Sequence, residues 1–157
     1  MNYFEMKEFS GNLKGSGRRI GIVVAKFNDF ITSRLVAGCR DELLKCGVSD
    51  ENIDCVWVPG SFEIPVAART MVDRGYDGII CLGAVIKGDT PHFEYISSTL
   101  ARAINSISVE AHIPVIFGVI TAETLEQAIE RAGTKAGNRG AEGARACLEM
   151  IDLLGKI

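Results

Sequence analysis

The sequence predicts a doubly wound α/β sandwich, with a four-stranded parallel sheet between layers of helices. Four short runs, Ile20 to Ala25 (IGIVVA), Ile53 to Val58 (IDCVWV), Gly78 to Gly83 (GIICLG) and Pro114 to Ile120 (PVIFGVI), are continuously apolar and rich in β-branched residues. Such runs suit strands buried on both faces, as parallel strands are, whereas a half-exposed sheet would alternate. Stretches with helical spacing separate the runs. The order β-α-β-α-β-α-β-α-α then calls for right-handed crossovers.

Taken in order, residues 1–19 fit no core element. They are polar, and Gly11 to Arg19 (GNLKGSGRR) is glycine-rich and basic. The segment reads as an N-terminal arm, either loose or adding a strand to a neighbouring subunit. Residues 20–157 read as a single domain. Beyond the first run, Leu35/Val36, Cys39, Leu43 and Cys46 recur at helical spacing up to Gly47. Val66, Thr70 and Val72 recur less cleanly before Gly75, in a helix that begins near Glu63 or Ile64 because Pro65 is tolerated only in a first turn. Phe93, Ile96, Leu100, Ala103/Ile104, Ile107 and Ala111 form the most regular stripe. Two more helices follow, over 123–132 and about 141–154, with Gly133 as the stop of the first.

A chain of 157 residues, 47% apolar and 24% charged, has the size and composition of one compact domain. Its net charge of −3 and pI near 5.4, without a dense Lys/Arg block, give no electrostatic reason to expect nucleic acid or an anionic membrane as partner. A small molecule or a protein fits better. Cys39, Cys46, Cys55, Cys81 and Cys147 are odd in number and dispersed through apolar segments, so they read as buried free thiols in a reducing compartment. His92 and His112 are the only histidines, and neither stands near a cysteine at ligand spacing, so no metal site is expected. No apolar run reaches the roughly 18 residues of a membrane span, and MNYFEMKEF lacks the apolar region of a signal peptide. A cytoplasmic protein is expected.

Ligands of open parallel sheets bind beyond the carboxyl ends of the strands, which directs attention to four loops. The first carries Phe27 and Asn28. An aromatic at that edge suits stacking on a flat heterocycle, although Phe27 could equally cap the core. In the second, Gly60 makes a tight turn and leaves Ser61, Phe62 and Glu63 exposed with free backbone N–H groups. The third runs from Ala84 to Thr90. Thr90 and Pro91 read as N-cap and first helical residue, which puts His92 in the first turn, where the positive helix end favours a neutral ring able to take and give a proton. A surface histidine at a helix start needs no function, and both readings stand. His112 reads as a charge at a helix C-terminus. Between the last two helices, Arg131, Lys135 and Arg139 lie among three glycines in a segment able to approach phosphate, or equally to be a helix cap with solvated cations. There is no GxxxxGK[ST], and the only GxG, Gly15 to Gly17, precedes a strand instead of following it, so the usual nucleotide loops are missing.

Five stretches together resemble the lumazine synthase family, in the family's order and spacing from about residue 18 onward. They are FNDFIT (Phe27 to Thr32), VPGSFEIP (Val58 to Pro65), GAVIKGDTPHFEYI (Gly83 to Ile96), FGVIT (Phe117 to Thr121) and TLEQAIERAGTKAGNRGAE (Thr124 to Glu142). The resemblance implies a flavodoxin-like three-layer sandwich. It also implies condensation of 5-amino-6-(D-ribitylamino)uracil with 3,4-dihydroxy-2-butanone 4-phosphate, with no metal or organic cofactor. By motif position, Phe27 and Asn28 would meet the pyrimidine, Ser61, Phe62 and Glu63 its ribityl side, and Ala84, Val85 and Ile86 the uracil edge. Phe117 would join them from an adjacent subunit. Asp89, Thr90, Arg131, Lys135 and Arg139 would meet the phosphorylated ketone, with His92 as acid/base. The family assembles as pentamers, and the uninterrupted GTKAGNRG resembles members whose pentamers build icosahedral sixty-subunit shells, some with riboflavin synthase as partner. Asp89 stands where the family varies, and Arg139 replaces a common lysine, which keeps the charge but not its point geometry.

Overall fold

In a computed structural model, which describes residues 5–134 and 137–157, the chain forms a four-stranded, all-parallel sheet with helices on both faces. Strand β1 (Ile20–Ala25) leads to helix α1 (Asp29–Lys45), β2 (Ile53–Val58) to α2 (Ile64–Val72), β3 (Gly78–Ile86) to α3 (Phe93–Ala111), and β4 (Val115–Ala122) to α4 (Leu125–Arg131) and α5 (Arg139–Lys156). The sheet order is β2-β1-β3-β4. Lys135, one of the residues expected at a phosphate, lies outside the described residues.

Alternation along the strands divides the interior into two cores. Ile20, Ile22 and Val24 of β1 face the same side as Ile80, Leu82, Ala84 and Ile86 of β3, where they pack with Ile31, Leu35, Cys39 and Leu43 of α1 and Ala144, Cys147, Leu148 and Ile151 of α5. Val23 and Ala25 join Ile79, Cys81 and Val85 on the other side, against Ile64, Ala68 and Met71 of α2 and Leu100, Ile104 and Ile107 of α3. These are the three layers expected of the sequence. Each fully buried aliphatic side chain contributes about 1.5–3 kcal/mol, and the central strands β1 and β3 are buried at every position.

Several local expectations change. β2 is an edge strand, so Cys55, Val56 and Trp57 are exposed although their run is as apolar as the others. Cys55 is therefore an exposed thiol, whereas burial holds Cys39, Cys81 and Cys147 at 0% exposure and pushes the Cys39 and Cys81 thiols up to about 12. α2 buries Ile64, Ala68 and Met71, and turns Val66 outward. β3 does not stop at Gly83. It continues through Ala84, Val85 and Ile86, paired with Ile120, Thr121 and Ala122 of β4. Gly47 and Gly133 directly follow the C-caps of α1 and α4, and Gly75 lies two residues past that of α2, each at positive φ.

The arm folds back on its own chain from Ser10 onward. The Asn12 N–H donates to Asp152 Oδ2 at 2.9 Å, Lys156 Nζ donates to the Ser10 carbonyl at 3.0 Å, and the Gly15 N–H donates to the Cys46 carbonyl at 2.8 Å. Residues 5–9 are exposed, with Met6 and Phe9 among them. No helix among the described residues is long and apolar enough to cross a membrane.

Candidate active site

The chain leaves β1 toward one face of the sheet, through α1, and leaves β3 toward the other, through α3. The carboxyl ends of β1 and β3 therefore form the switch point at which open α/β sheets hold ligands. A cavity of about 300 Å³ lies there, lined by Phe27 of the first loop, Gly60 to Glu63 of the second, and Ala84, Val85, Ile86, Asp89 and Thr90 of the third, with Ile96 behind. Its size suits a small organic ligand.

Each wall has a local cause. Beyond the strand ends, the Lys26 N–H donates to the Val58 carbonyl at 2.7 Å and the Phe27 N–H to the Pro59 carbonyl at 3.1 Å, so β1 and β2 remain joined into their loops. Phe27 is thus held at the rim, 59% exposed, which removes the reading of it as a core residue. Phe62, also 59% exposed, stands in a 3-10 turn over Ser61–Glu63. Each forgoes roughly half of the about 1.5–3 kcal/mol that full burial would contribute, a cost that stacking against a flat ligand would recover. The N–H groups of this turn are not all free, because that of Glu63 donates to the Gly60 carbonyl at 3.2 Å. Gly83 lets the second loop approach the strand: a Cβ there would lie 2.8 Å from Ser61 Oγ.

The third loop is a strand end followed by a turn. Pairing of β1 with β3 ends at Val24 and Leu82, while pairing of β3 with β4 continues to Ile86. Ala84, Val85 and Ile86 therefore extend past the paired end of β1 as a ledge that lines the cavity. A 3-10 turn over Lys87–Asp89 follows, and α3 begins only at Phe93. His92 is the N-cap of α3 and exposed, not a residue of its first turn as the Thr-Pro pair suggests. Thr90 still caps locally, since its Oγ1 accepts the His92 N–H at 3.1 Å. Thr90 lines both the cavity and the open groove that contains Lys87, Pro91 and His92.

The other expected residues lie apart. Phe117, in the middle of edge strand β4, borders a groove with Phe93, Glu94, Ser97, Ser98 and Thr121. Arg131 closes α4, and its Nη1 donates to the Thr121 carbonyl at 2.8 Å. Arg139 opens α5 and faces Glu142 at 3.7 Å. None of the three lines the cavity of its own chain. His112 ends α3 in the left-handed conformation, φ 57, with its N–H on the Ser108 carbonyl, as a backbone cap. It borders a larger recess of about 400 Å³ between α3 and α5, but that recess is mainly apolar and opens at the start of β4, away from the switch point.

Asn28 holds a position that its residue type alone did not reveal. It caps α1 in the left-handed region, φ 62 and ψ 45, and its Nδ2 lies 3.3 Å from both the Ala84 carbonyl and Asp89 Oδ2. A residue that precedes a helix and follows a strand offers one signal of this: asparagine tolerates left-handed backbone better than most.

The fold and the cavity define a three-layer α/β protein with a cavity of small-molecule size at the β1/β3 switch point, an aromatic rim, and a histidine on the adjoining turn. Residues 17–155 match the model of the 6,7-dimethyl-8-ribityllumazine synthase family, and the chain belongs to that family. Membership implies work in riboflavin biosynthesis, at the condensation step, on small-molecule substrates and as a homo-oligomer.

Proposed function

We propose that this chain condenses 5-amino-6-(D-ribitylamino)uracil with 3,4-dihydroxy-2-butanone 4-phosphate to 6,7-dimethyl-8-ribityllumazine, releasing phosphate and water. The observation that carries the reading is the position of Thr90, which borders both the cavity and the groove of His92. A pyrimidine lodged among Phe27, Ser61, Phe62, Glu63 and the ledge Ala84 to Ile86 would then have its reacting amine directed toward the turn of Asp89, Thr90 and His92.

The chemistry asks for orientation and proton movement. The arylamine attacks the ketone carbon, and loss of water leaves an imine. Elimination expels phosphate, and a second condensation closes the ring with loss of another water. Each step moves a proton and none changes the overall oxidation state. His92, on an exposed turn beside the cavity, is the group placed to shuttle those protons. Asp89 and Thr90 bind the ketone phosphate largely through N–H groups of the turn. Two substrates held in register gain much of the rate from proximity alone, so binding residues outnumber catalytic ones.

Phe117 and Arg131 complete the site from the adjacent subunit of a pentamer, since neither lines the cavity of its own chain. Arg131 is the phosphate anchor, with Lys135 and Arg139 as further cations in the same basic segment. Pentamers assemble into an icosahedral shell, and a riboflavin synthase is the expected functional partner. Incubating the chain with both substrates and following the fluorescence of the lumazine tests the reading. Acceleration over the spontaneous reaction is expected, and its absence would sink the proposal.

A further inference from the structure

Asn28 does not line the cavity, although both its chain neighbour Phe27 and its hydrogen-bond partners Ala84 and Asp89 do. Its amide nitrogen carries two hydrogens and has two acceptors, the Ala84 carbonyl and Asp89 Oδ2, each at 3.3 Å. Ala84 lies two residues beyond Leu82, the last β3 residue paired with β1. The side chain thus takes a carbonyl that a longer β1 would have used, and the same nitrogen reaches across to the turn that leads to His92. Left-handed backbone at a non-glycine residue costs energy and persists only where the surroundings hold it.

We propose that Asn28 is a positioning residue: through Ala84 and Asp89 it sets the spacing between the pyrimidine ledge and the turn that carries Asp89, Thr90 and His92. The inference rests on the condensation proposed above. One amide joins the two half-sites, so that the amine of the first substrate and the ketone of the second meet at a fixed separation. This spacing does not require Asn28 to touch a substrate.

Two variants separate this from a purely structural role. Asn28→Gly accepts left-handed backbone without strain and removes both donors, while Asn28→Asp keeps the size and can only accept. A lost spacing reduces orientation more than binding, so kcat falls about tenfold or more in both variants. In Asn28→Gly, which adds no charge, KM for each substrate stays within about threefold of wild type. Because the two residues act as a pair, Asn28→Gly combined with Asp89→Ala loses less than the product of the single losses. A kcat for Asn28→Gly within about twofold of wild type, a loss confined to one KM, or multiplicative single losses would overturn the positioning role while leaving the condensation in place. Wild-type protein that fails to exceed the spontaneous rate would overturn the condensation and this inference with it.

Discussion

The Thr90 hydroxyl accepts the backbone N–H of His92 at 3.1 Å, so the residue that borders the cavity also fixes the start of the turn that presents the histidine. His92 is exposed and its backbone carbonyl caps α3 by accepting the Ile96 N–H at 2.9 Å. The imidazole is free to serve chemistry because the backbone alone does the capping. His92→Ala is expected to lower kcat about a hundredfold, with little change in pyrimidine binding measured by calorimetry. A wild-type rate in that variant would remove His92 from the mechanism.

Arg131 is held at 2.8 Å from the Thr121 carbonyl and lies away from its own chain's cavity. The proposed role, a phosphate anchor delivered to a neighbour, requires that its loss affect one substrate. Arg131→Ala is expected to raise KM for the phosphorylated ketone by about tenfold or more, with pyrimidine binding nearly intact. At ketone concentrations below KM, mixing Arg131→Ala with His92→Ala chains during assembly should give more activity than the two variants summed, because some interfaces would then pair an intact half from each. Equal loss of both substrates, or no excess over that sum, would contradict the shared site.

Gly140 is required by packing. A Cβ there would lie 2.0 Å from the Leu35 carbonyl oxygen, backbone against backbone where α5 meets α1. Relief needs a helix to move, which costs about 1–3 kcal/mol or more. Gly140→Ala should lower the melting temperature by roughly 5–10 °C. Gly155→Ala near the end of the same helix, with nothing within 4 Å, should leave it unchanged.

A second polar network joins the amino ends of the strands. Tyr76 Oη donates to Asp54 Oδ2 at 2.7 Å, Arg19 Nη2 donates to the same oxygen at 3.3 Å, and the Arg19 guanidinium lies 4.2 Å from the centre of the Tyr76 ring. The Tyr76 hydroxyl, and then Arg19, hold the Asp54 carboxyl below its ordinary 3.8. That stabilisation is present above pH 3.8 and is lost as pH falls through the lowered value. Burial first, and Asp54 second, push the Tyr76 phenol above its ordinary 10.0, so its share is present below pH 10.0 and is lost as pH rises through the raised value. Tyr76→Phe should therefore lower the melting temperature at neutral pH and make less difference toward either extreme. Asp54 is half-exposed, which limits the effect through solvent screening. A difference independent of pH would assign the loss to packing alone.

The layers and their order were legible because continuous apolar runs and helical stripes report burial, and the bounds of β1 and β2 agree to the residue. Position within the sheet was not. Cys55, Val56 and Trp57 look as buried as the residues of β1, and only the order β2-β1-β3-β4 makes them an edge. Gly83 resembles a strand end, yet β4 supplies partners for three more residues, and no local signal encodes a partner remote in sequence. In α2 the hydrophobic stripe was ambiguous because Val66 competes with Ala68, a small residue that fits under the sheet. At the site, the residue types in the loops pointed to the edge of the sheet where the cavity lies. The motif order that identified the family is a longer-range signal than any single loop. Thr90-Pro91 misplaced the start of α3 by two residues because the hydroxyl caps a turn there instead of a helix. The bonds of Asn28 depend on how far β3 outruns β1, which is a property of the assembled sheet.

The most direct measurement follows lumazine fluorescence and inorganic phosphate together after the chain meets both substrates. Both products should rise in step, one phosphate for each lumazine, well above the rate of the same mixture without protein. A rate equal to that mixture, or phosphate released without lumazine, would contradict the proposed condensation.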